Sequence, residues 1–198
     1  MEIAVNGIDG VGKSTFIEAA LSHFENIGVW VSVIDLPYFR RTHGLSRISP
    51  YLSACGEWIE TRSRLLYATL MVFSAALYWF ARWRTRWASV VLVEHHPRIA
   101  ITPYALLYGG RFGSLLASTI RTLWPKPDYL VLLTVDPYES KKRIICRGRR
   151  AQWRQTVELL SQLQQSMMEA AREVPQRFVG EHISPSELLD NLKTKAML

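Results

Sequence analysis

"NGIDGVGKST", residues 6–15, lies between a short apolar run and an amphipathic one. Within it, Gly7, Gly12, Lys13 and Ser14 match G-x-x-x-x-G-K-[ST], the pattern of a phosphate-binding loop between a strand and a helix. Glycines let backbone N–H groups approach a phosphate closely, and the positive end of the following helix points at the same place. The stretch therefore predicts a strand, a phosphate-binding loop and a helix.

The residues on either side of this loop have the patterns that these elements need. "EIAVN", residues 2–6, is a short apolar strand, and apolar side chains recur at helical spacing from Lys13 to about Asn26. Gly28 ends that helix, and the β-branched run "VWVSVID", residues 29–35, predicts a second strand. A strand–helix–strand unit of this kind is expected to form a right-handed parallel crossover.

The rest of the chain continues the alternation of strands and helices. Further strands are expected at 89–94, 128–136 and about 178–181, and further helices at 113–124, 137–146, about 155–173 and after Ser184. Such an alternation is typical of an α/β fold with a doubly wound parallel sheet. The length of 198 residues fits one domain, which we expect to span residues 1–198.

One apolar run, Leu65–Ala81, has arginines at both ends and raises the question of a membrane span. Its length is at the short limit of the roughly 17–25 residues that a transmembrane helix needs. The run also lies in the middle of a regular α/β pattern. A buried helix that crosses one face of the sheet is the favoured interpretation, and a membrane anchor is the alternative.

The composition is basic, with a net charge of +7 that comes mostly from clustered arginines. A basic surface suits nucleic acid, a membrane or anionic small molecules. Aromatic residues interleave with the arginines only in "RWRTRW", so we expect a small-molecule partner and neither nucleic acid nor membrane. Two cysteines and an N-terminus without signal-peptide features favour a cytoplasmic location.

Three further features accompany the loop. Asp9 lies inside it, Glu94 ends the strand "VLVE", and residues 125–150 read as a buried strand and a helix followed by Arg143 and Arg147. Together with the loop, these features resemble the thymidylate kinase family in order along almost the whole chain. The resemblance is strongest in the loop and in the arginine-bearing segment, and looser between them.

The resemblance implies a P-loop nucleoside monophosphate kinase with a five-stranded parallel sheet of strand order 2-3-1-4-5. It implies transfer of the γ-phosphoryl group of Mg-ATP to a nucleoside monophosphate such as dTMP, an arginine-rich lid at about 143–154, and a homodimer. The implied ATP-binding residues are Gly7, Gly10, Val11, Gly12, Lys13, Ser14, Thr15 and Arg147. The implied Mg²⁺ ligands are Ser14 and Glu94, and the implied catalytic residues are Lys13, Asp9, Glu94, Arg143 and Arg147.

The chain departs from the family on the acceptor side. Glu94-His95-His96 stands where the family has Asp-Arg after the third strand, and Asp35-Leu36-Pro37 stands where it has Arg-Glu-Pro. Leu70 and Met71 occupy the positions of an Asp-Arg pair in the middle helix, and the Asp-Arg-x-Glu of the lid is also missing. The arginines that would bind an acceptor monophosphate in a bidentate manner are therefore absent from those positions.

Two interpretations of the acceptor stay open. Nearby arginines substitute for the missing ones, or the acceptor is another small molecule, whose hydroxyl or amine the carboxylates of Asp35 and Glu94 would suit. The candidate acceptor-binding residues are Asp9, Asp35, Pro37, Tyr67, His95 and Arg98. A third hypothesis is a non-enzymatic ATP-binding module that acts through its basic face.

Overall fold

The structure, a computed structural model, describes residues 1–35, 77–100, 102, 110–146, 156–181 and 183–188. Its sheet has five parallel strands in the order β2-β3-β1-β4-β5. The strands are β1 (Glu2–Asn6), β2 (Val31–Asp35), β3 (Val90–Glu94), β4 (Tyr129–Leu133) and β5 (Arg177–Gly180). The α/β class and the strand order expected from the sequence are confirmed.

The three central strands are buried along their whole length. Every residue of β1, β3 and β4 is buried, whereas the edge strand β5 alternates between exposed and partly exposed residues. A parallel strand covered by helices on both faces reads as a continuous apolar run, and this is why the sequence predicted β1 and β4 so clearly.

In the part of the chain that the structure describes, four helices pack around the sheet together with a helical segment at residues 77–84. The four are α1 (Lys13–Asn26), α2 (Gly110–Leu123), α3 (Pro137–Cys146) and α4 (Val157–Ala171). Side chains of α1 and α4 pack in one core cluster with Leu92, and side chains of 77–84 and α2 pack in a second with Val91 and Val93. Because neighbouring residues of a strand point to opposite faces, β3 contributes to both cores.

The end of β4 and the start of α4 differ from their predicted bounds, and a hydrogen bond at the start of a helix accounts for each difference. The strand expected to reach 136 ends at Leu133, and the carboxylate of Asp136 accepts hydrogen bonds from the backbone N–H of Tyr138 (2.7 Å) and of Glu139 (3.4 Å) at the start of α3. Helix α4 begins after Thr156, whose hydroxyl accepts a hydrogen bond from the N–H of Leu159. Both are N-cap contacts, which satisfy donors at the first turn of a helix.

The apolar run predicted to form a buried helix is described only at its end. In the segment 77–84, Tyr78 and Ala81 are buried against the sheet, while Trp79 and Phe80 are about half exposed. The rest of the run lies outside the described residues. Within the part of the chain that the structure describes, no helix combines the length and the apolar character needed to cross a membrane.

Candidate functional site

The glycine-rich loop connects the central strand β1 to α1. Gly7, Gly10 and Gly12 have φ angles of 150°, 81° and 101°, a region that residues with a side chain rarely adopt. A Cβ atom on Gly7 would lie 2.4 Å from the carbonyl oxygen of Leu133 at the end of β4. Glycine at position 7 therefore satisfies both a backbone and a packing requirement.

Lys13 is the first residue of α1, and its ammonium lies inside the curve of the loop. Its Nζ donates hydrogen bonds to the carbonyl oxygens of Gly7 (2.9 Å) and Ile8 (2.8 Å), and the residue is only 6% exposed. The N-cap of the helix is Gly12, which makes no side-chain capping bond, and the first turn contains no acidic residue. The loop thus combines a lysine cation with the positive end of a helix.

Ser14 and Glu94 bring the start of α1 to the end of β3. The hydroxyl of Ser14 donates to Oε1 of Glu94 at 3.3 Å, and Glu94 is buried apart from 6% of its surface. The parallel register places Val5 beside Glu94, so β3 ends next to the point where β1 enters the loop. A hydroxyl and a carboxylate that are 80 residues apart in sequence therefore meet at the carboxyl edge of the sheet.

The oxygen atoms of Ser14 and Glu94 fit a magnesium ion. Magnesium prefers oxygen ligands and is usually held by one or two protein groups together with substrate phosphates and water. Among the residues that the structure describes, no group of three or more His, Cys, Asp or Glu side chains is placed to form a cage of protein ligands. Two oxygen ligands of this kind could hold a magnesium ion whose other ligands are phosphate and water.

Helix α3 packs directly against the loop through a residue that the sequence analysis missed. Ser140 is fully buried, and its hydroxyl donates a hydrogen bond to the backbone carbonyl of Asp9. A Cβ atom on Gly10 would lie 2.8 Å from the carbonyl oxygen of Ser140, so the two backbones approach closely. A serine within "PYESKKRIIC" carries no motif that could have indicated this contact.

Arg143 lies on the same helix and points to solvent. Its Nε donates to Glu139 at 3.1 Å, and both side chains are more than 40% exposed. An exposed pair of this kind contributes little to stability, so its guanidinium can exchange the carboxylate for a phosphate at small cost. The structure does not describe residues 147–155, so Arg147 and the rest of the predicted lid after Cys146 lie outside the described residues.

Arg98, one of the candidate acceptor-binding residues, contacts two backbone carbonyls and a carboxylate. One guanidinium nitrogen donates to the carbonyl oxygens of Arg121 (2.8 Å) and Trp124 (3.2 Å), and the other lies 2.9 Å from the carboxylate of Glu173. The side chain is 14% exposed. These contacts join the end of α2 to the end of α4.

The remaining predicted residues are described to different extents. His95 has a φ of 58°, uncommon for a residue with a side chain, and its Nε2 lies 3.9 Å from Oε1 of Glu94. Asp35 pairs in register with Glu94, so its backbone reaches the same edge of the sheet. Val11 is buried in the loop, and Thr15 is exposed on α1. Pro37 and Tyr67 lie outside the described residues.

A buried carboxylate at the opposite end of β1 is a second feature that the sequence did not indicate. Both oxygens of Glu2 lie within hydrogen-bond distance of the Tyr78 hydroxyl, which donates to them (2.9 and 2.8 Å). Oε2 also lies 3.0 Å from Nε of Arg82, and Oε1 lies 3.1 Å from Nε2 of His96. The contacts link the segment 77–84 and the turn after β3 to the first strand.

This cluster shifts two pKa values. Burial pushes the pKa of Glu2 upward, but the contacts with His96, Tyr78 and Arg82 outweigh it and leave the pKa below its ordinary value of 4.5. Burial and the neighbouring carboxylate raise the pKa of Tyr78 well above its ordinary value. Glu2 is therefore an anion at neutral pH, and Tyr78 is its hydrogen-bond donor.

No protein-family model matches the chain, and no match is found among curated proteins.

Proposed function

We propose that this protein is a P-loop kinase that transfers the γ-phosphoryl group of ATP to a nucleoside monophosphate such as dTMP. The observation that carries the proposal is the meeting of Ser14 and Glu94 beside a loop with three glycines at positive φ. A phosphate-binding loop on its own indicates a nucleotide, and an acidic residue on the neighbouring strand adds the second oxygen ligand that a magnesium nucleotide needs.

In this proposal each residue of the loop has a distinct role. The backbone N–H groups between Gly7 and Gly12 bind the phosphate oxygens, and Lys13 neutralises negative charge on the transferred group. The hydroxyl of Ser14 and the carboxylate of Glu94 hold the magnesium ion, which when bound neutralises charge on the β- and γ-phosphates. Arg143 and Arg147 would close over the nucleotide and exclude water, which limits hydrolysis.

A second candidate function is phosphorylation of a small molecule other than a nucleotide. The contacts of Arg98 favour it, since they occupy a guanidinium that could have replaced a missing acceptor arginine. The carboxylate of Glu94 could then orient an acceptor hydroxyl or remove its proton. This candidate differs from the first only in the acceptor, so one assay separates them.

The test is release of ADP from purified protein with Mg-ATP against a panel of acceptors. The panel contains dTMP, other nucleoside monophosphates, nucleosides, and small alcohols and amines. Lys13→Ala serves as the blank, with an expected loss of turnover of about 10³-fold, and the surface variant Lys126→Ala serves as its control.

Each outcome of the panel has a meaning. Turnover on dTMP supports the first candidate, and turnover only on an alcohol or amine supports the second. ATP binding without transfer to any acceptor would leave a non-enzymatic ATP-binding module, and an active Lys13→Ala variant would remove the loop from the mechanism. The proposal also includes a homodimer and a cytoplasmic location. Sedimentation velocity tests the homodimer, and cell fractionation tests the location.

A further inference from the structure

The segment 77–87 presents a cluster of exposed aromatic rings around one arginine. Phe80, Trp83 and Trp87 are 51%, 58% and 69% exposed. The rings of Phe80 and Trp83 lie 6.2 Å apart, and the guanidinium of Arg86 lies 5.2 Å from the ring centre of Trp83 and 4.9 Å from that of Trp87. We call these four residues the aromatic–arginine face. Contiguous exposed apolar area of this kind usually marks an interaction site.

Two further exposed tryptophans lie on neighbouring parts of the chain. Trp79 is 49% exposed, and its indole N–H donates to the carbonyl of Leu123 at the end of α2. Trp30 is 65% exposed, and its carbonyl accepts hydrogen bonds from the N–H groups of Ser89 and Val90. Since Trp30 immediately precedes β2 and Trp87 lies just before β3, the face borders the amino edge of the sheet.

The chain segment that carries the face is positively charged. The sequence contains no Asp or Glu between Glu60 and Glu94, and the turn at the face carries Arg84 and Arg86. An occupant of this face must therefore tolerate or prefer positive charge.

The face lies at the end of the sheet opposite the glycine-rich loop. The loop follows the carboxyl end of β1, and Trp30 and Trp87 precede the amino ends of their strands. A partner bound to the face therefore leaves the loop accessible, and the inference does not depend on which reaction occurs at the loop.

We propose that the aromatic–arginine face docks the protein on the surface of an anionic phospholipid bilayer. Tryptophan is favoured at the membrane–water interface, where its ring is buried among headgroups and its N–H stays in a polar layer. Arginines beside such rings are attracted to anionic headgroups. The face combines exposed tryptophans with an arginine and carries no acidic residue of its own. The proposed partner is therefore a bilayer surface, in place of the earlier expectation that no membrane binds.

Two other occupants fit the face less well. A second copy docked through the same face on a two-fold axis would place two arginine-bearing faces against each other, with no acidic residue in the segment to pair with Arg84 and Arg86. Single-stranded nucleic acid binds by stacking bases on aromatic rings. Here the guanidinium of Arg86 already lies over the rings of both Trp83 and Trp87.

The test is flotation of the full chain with vesicles of phosphatidylcholine alone or of phosphatidylcholine mixed with phosphatidylserine, whose anionic headgroups give the surface a negative potential. We expect binding to the anionic vesicles, and weaker binding at high salt. Trp83→Ser/Trp87→Ser should reduce the bound fraction about tenfold or more, and Arg84→Glu/Arg86→Glu about thirtyfold or more.

Matched controls change the same residue types or the same charge elsewhere. Tyr138→Ser removes an exposed aromatic side chain on α3, and Arg111→Glu/Lys142→Glu makes the same change in net charge away from the face. Both should bind vesicles like the unmodified chain. Circular dichroism and unfolding curves establish that each variant is folded, so a loss of binding reports on the face.

Three results would overturn the proposal. One is equal binding of the unmodified chain and the folded face variants to anionic vesicles, and another is no binding to either vesicle type. The third is a different occupant, in the absence of any vesicle binding. Fluorescence anisotropy would then show that the aromatic substitutions abolish binding of a labelled oligonucleotide, or sedimentation velocity would show that they abolish dimerisation.

Discussion

The buried hydroxyl of Ser140 donates a hydrogen bond to the backbone carbonyl of Asp9 and so joins α3 to the glycine-rich loop. We predict that Ser140→Ala destabilises the protein by about 1–2 kcal/mol, because the substitution leaves a buried carbonyl without its donor. If the loop binds ATP, the KM for ATP should rise as well. Denaturant unfolding measures the first effect, and steady-state kinetics the second.

Ser114→Ala is the matched control for that prediction. The hydroxyl of Ser114 also donates to a backbone carbonyl, that of Gly110, but in an exposed position on α2. Its removal should change the free energy of unfolding by less than about 0.5 kcal/mol. Equal effects of the two substitutions would show that the contact with the loop has no special importance.

Gly7 is expected to be the least replaceable glycine of the loop. A Cβ atom at position 7 would meet the carbonyl of Leu133 at 2.4 Å, whereas one at Gly28, also at positive φ, would meet nothing within 4 Å. Gly7→Ala should therefore cost about 3 kcal/mol or more, and Gly28→Ala only the backbone term of about 1 kcal/mol. Thermal and denaturant unfolding of the two variants give the comparison, and similar losses would contradict the packing argument.

Glu94 and Ser14 should act as a pair on the dependence on magnesium. We predict that Glu94→Gln and Ser14→Ala each raise the Mg²⁺ concentration for half-maximal turnover about tenfold. The double variant should lose less than the product of the two effects, because both groups serve one ion. Ser22→Ala, on the exposed part of α1, is the control. If the Mg²⁺ concentration for half-maximal turnover were unchanged in Glu94→Gln, that carboxylate would not bind the ion.

Arg98 provides a test of structural against acceptor-binding roles. Lysine cannot reproduce the fork that contacts two carbonyl oxygens and Glu173, so Arg98→Lys should cost about 1–2 kcal/mol of stability. The KM for the acceptor should stay unchanged. Arg121→Lys is the control, since Arg121 lies 3.4 Å from the same Glu173 with a side chain that is 43% exposed. A raised acceptor KM with unchanged stability would restore the acceptor role.

Glu2 should make folding stability depend on pH in the acidic range. Because its folded pKa lies below the ordinary value of 4.5, the unfolded chain binds the proton more readily, so the ionised carboxylate stabilises the fold above about pH 4.5. This stabilisation is lost as the pH falls through the lower, folded value. Glu2→Gln should thus be less stable by about 3 kcal/mol at pH 7, and the difference should shrink in acid.

Denaturant unfolding between pH 3 and pH 8 measures this dependence. Glu169→Gln, an exposed site on α4, is the control and should shift stability by less than about 0.5 kcal/mol throughout. A difference between Glu2→Gln and the unmodified chain that stays constant with pH would show that Glu2 does not stabilise the fold as an anion.

The local sequence pattern was sufficient to predict an element where a strand is buried on both faces or where a helix has apolar residues at regular spacing. The continuous apolar runs predicted β1 and β4, and the apolar periodicity after the loop predicted α1 with the bounds that the structure has. The strand order came from the family resemblance, which rested on motifs along the whole chain, and the sheet confirmed it.

What the sequence by itself determined is therefore the α/β class, the position of the glycine-rich loop and the strands that form the core. Only the tertiary structure decided that Ser140 supports Asp9 and that Arg98 is engaged with the end of α2, and it brings together Ser14 and Glu94, which the family resemblance had paired as magnesium ligands. The physical reason is that these contacts join residues 23 to 131 positions apart. Such contacts follow from strand register and helix packing, which no local periodicity encodes.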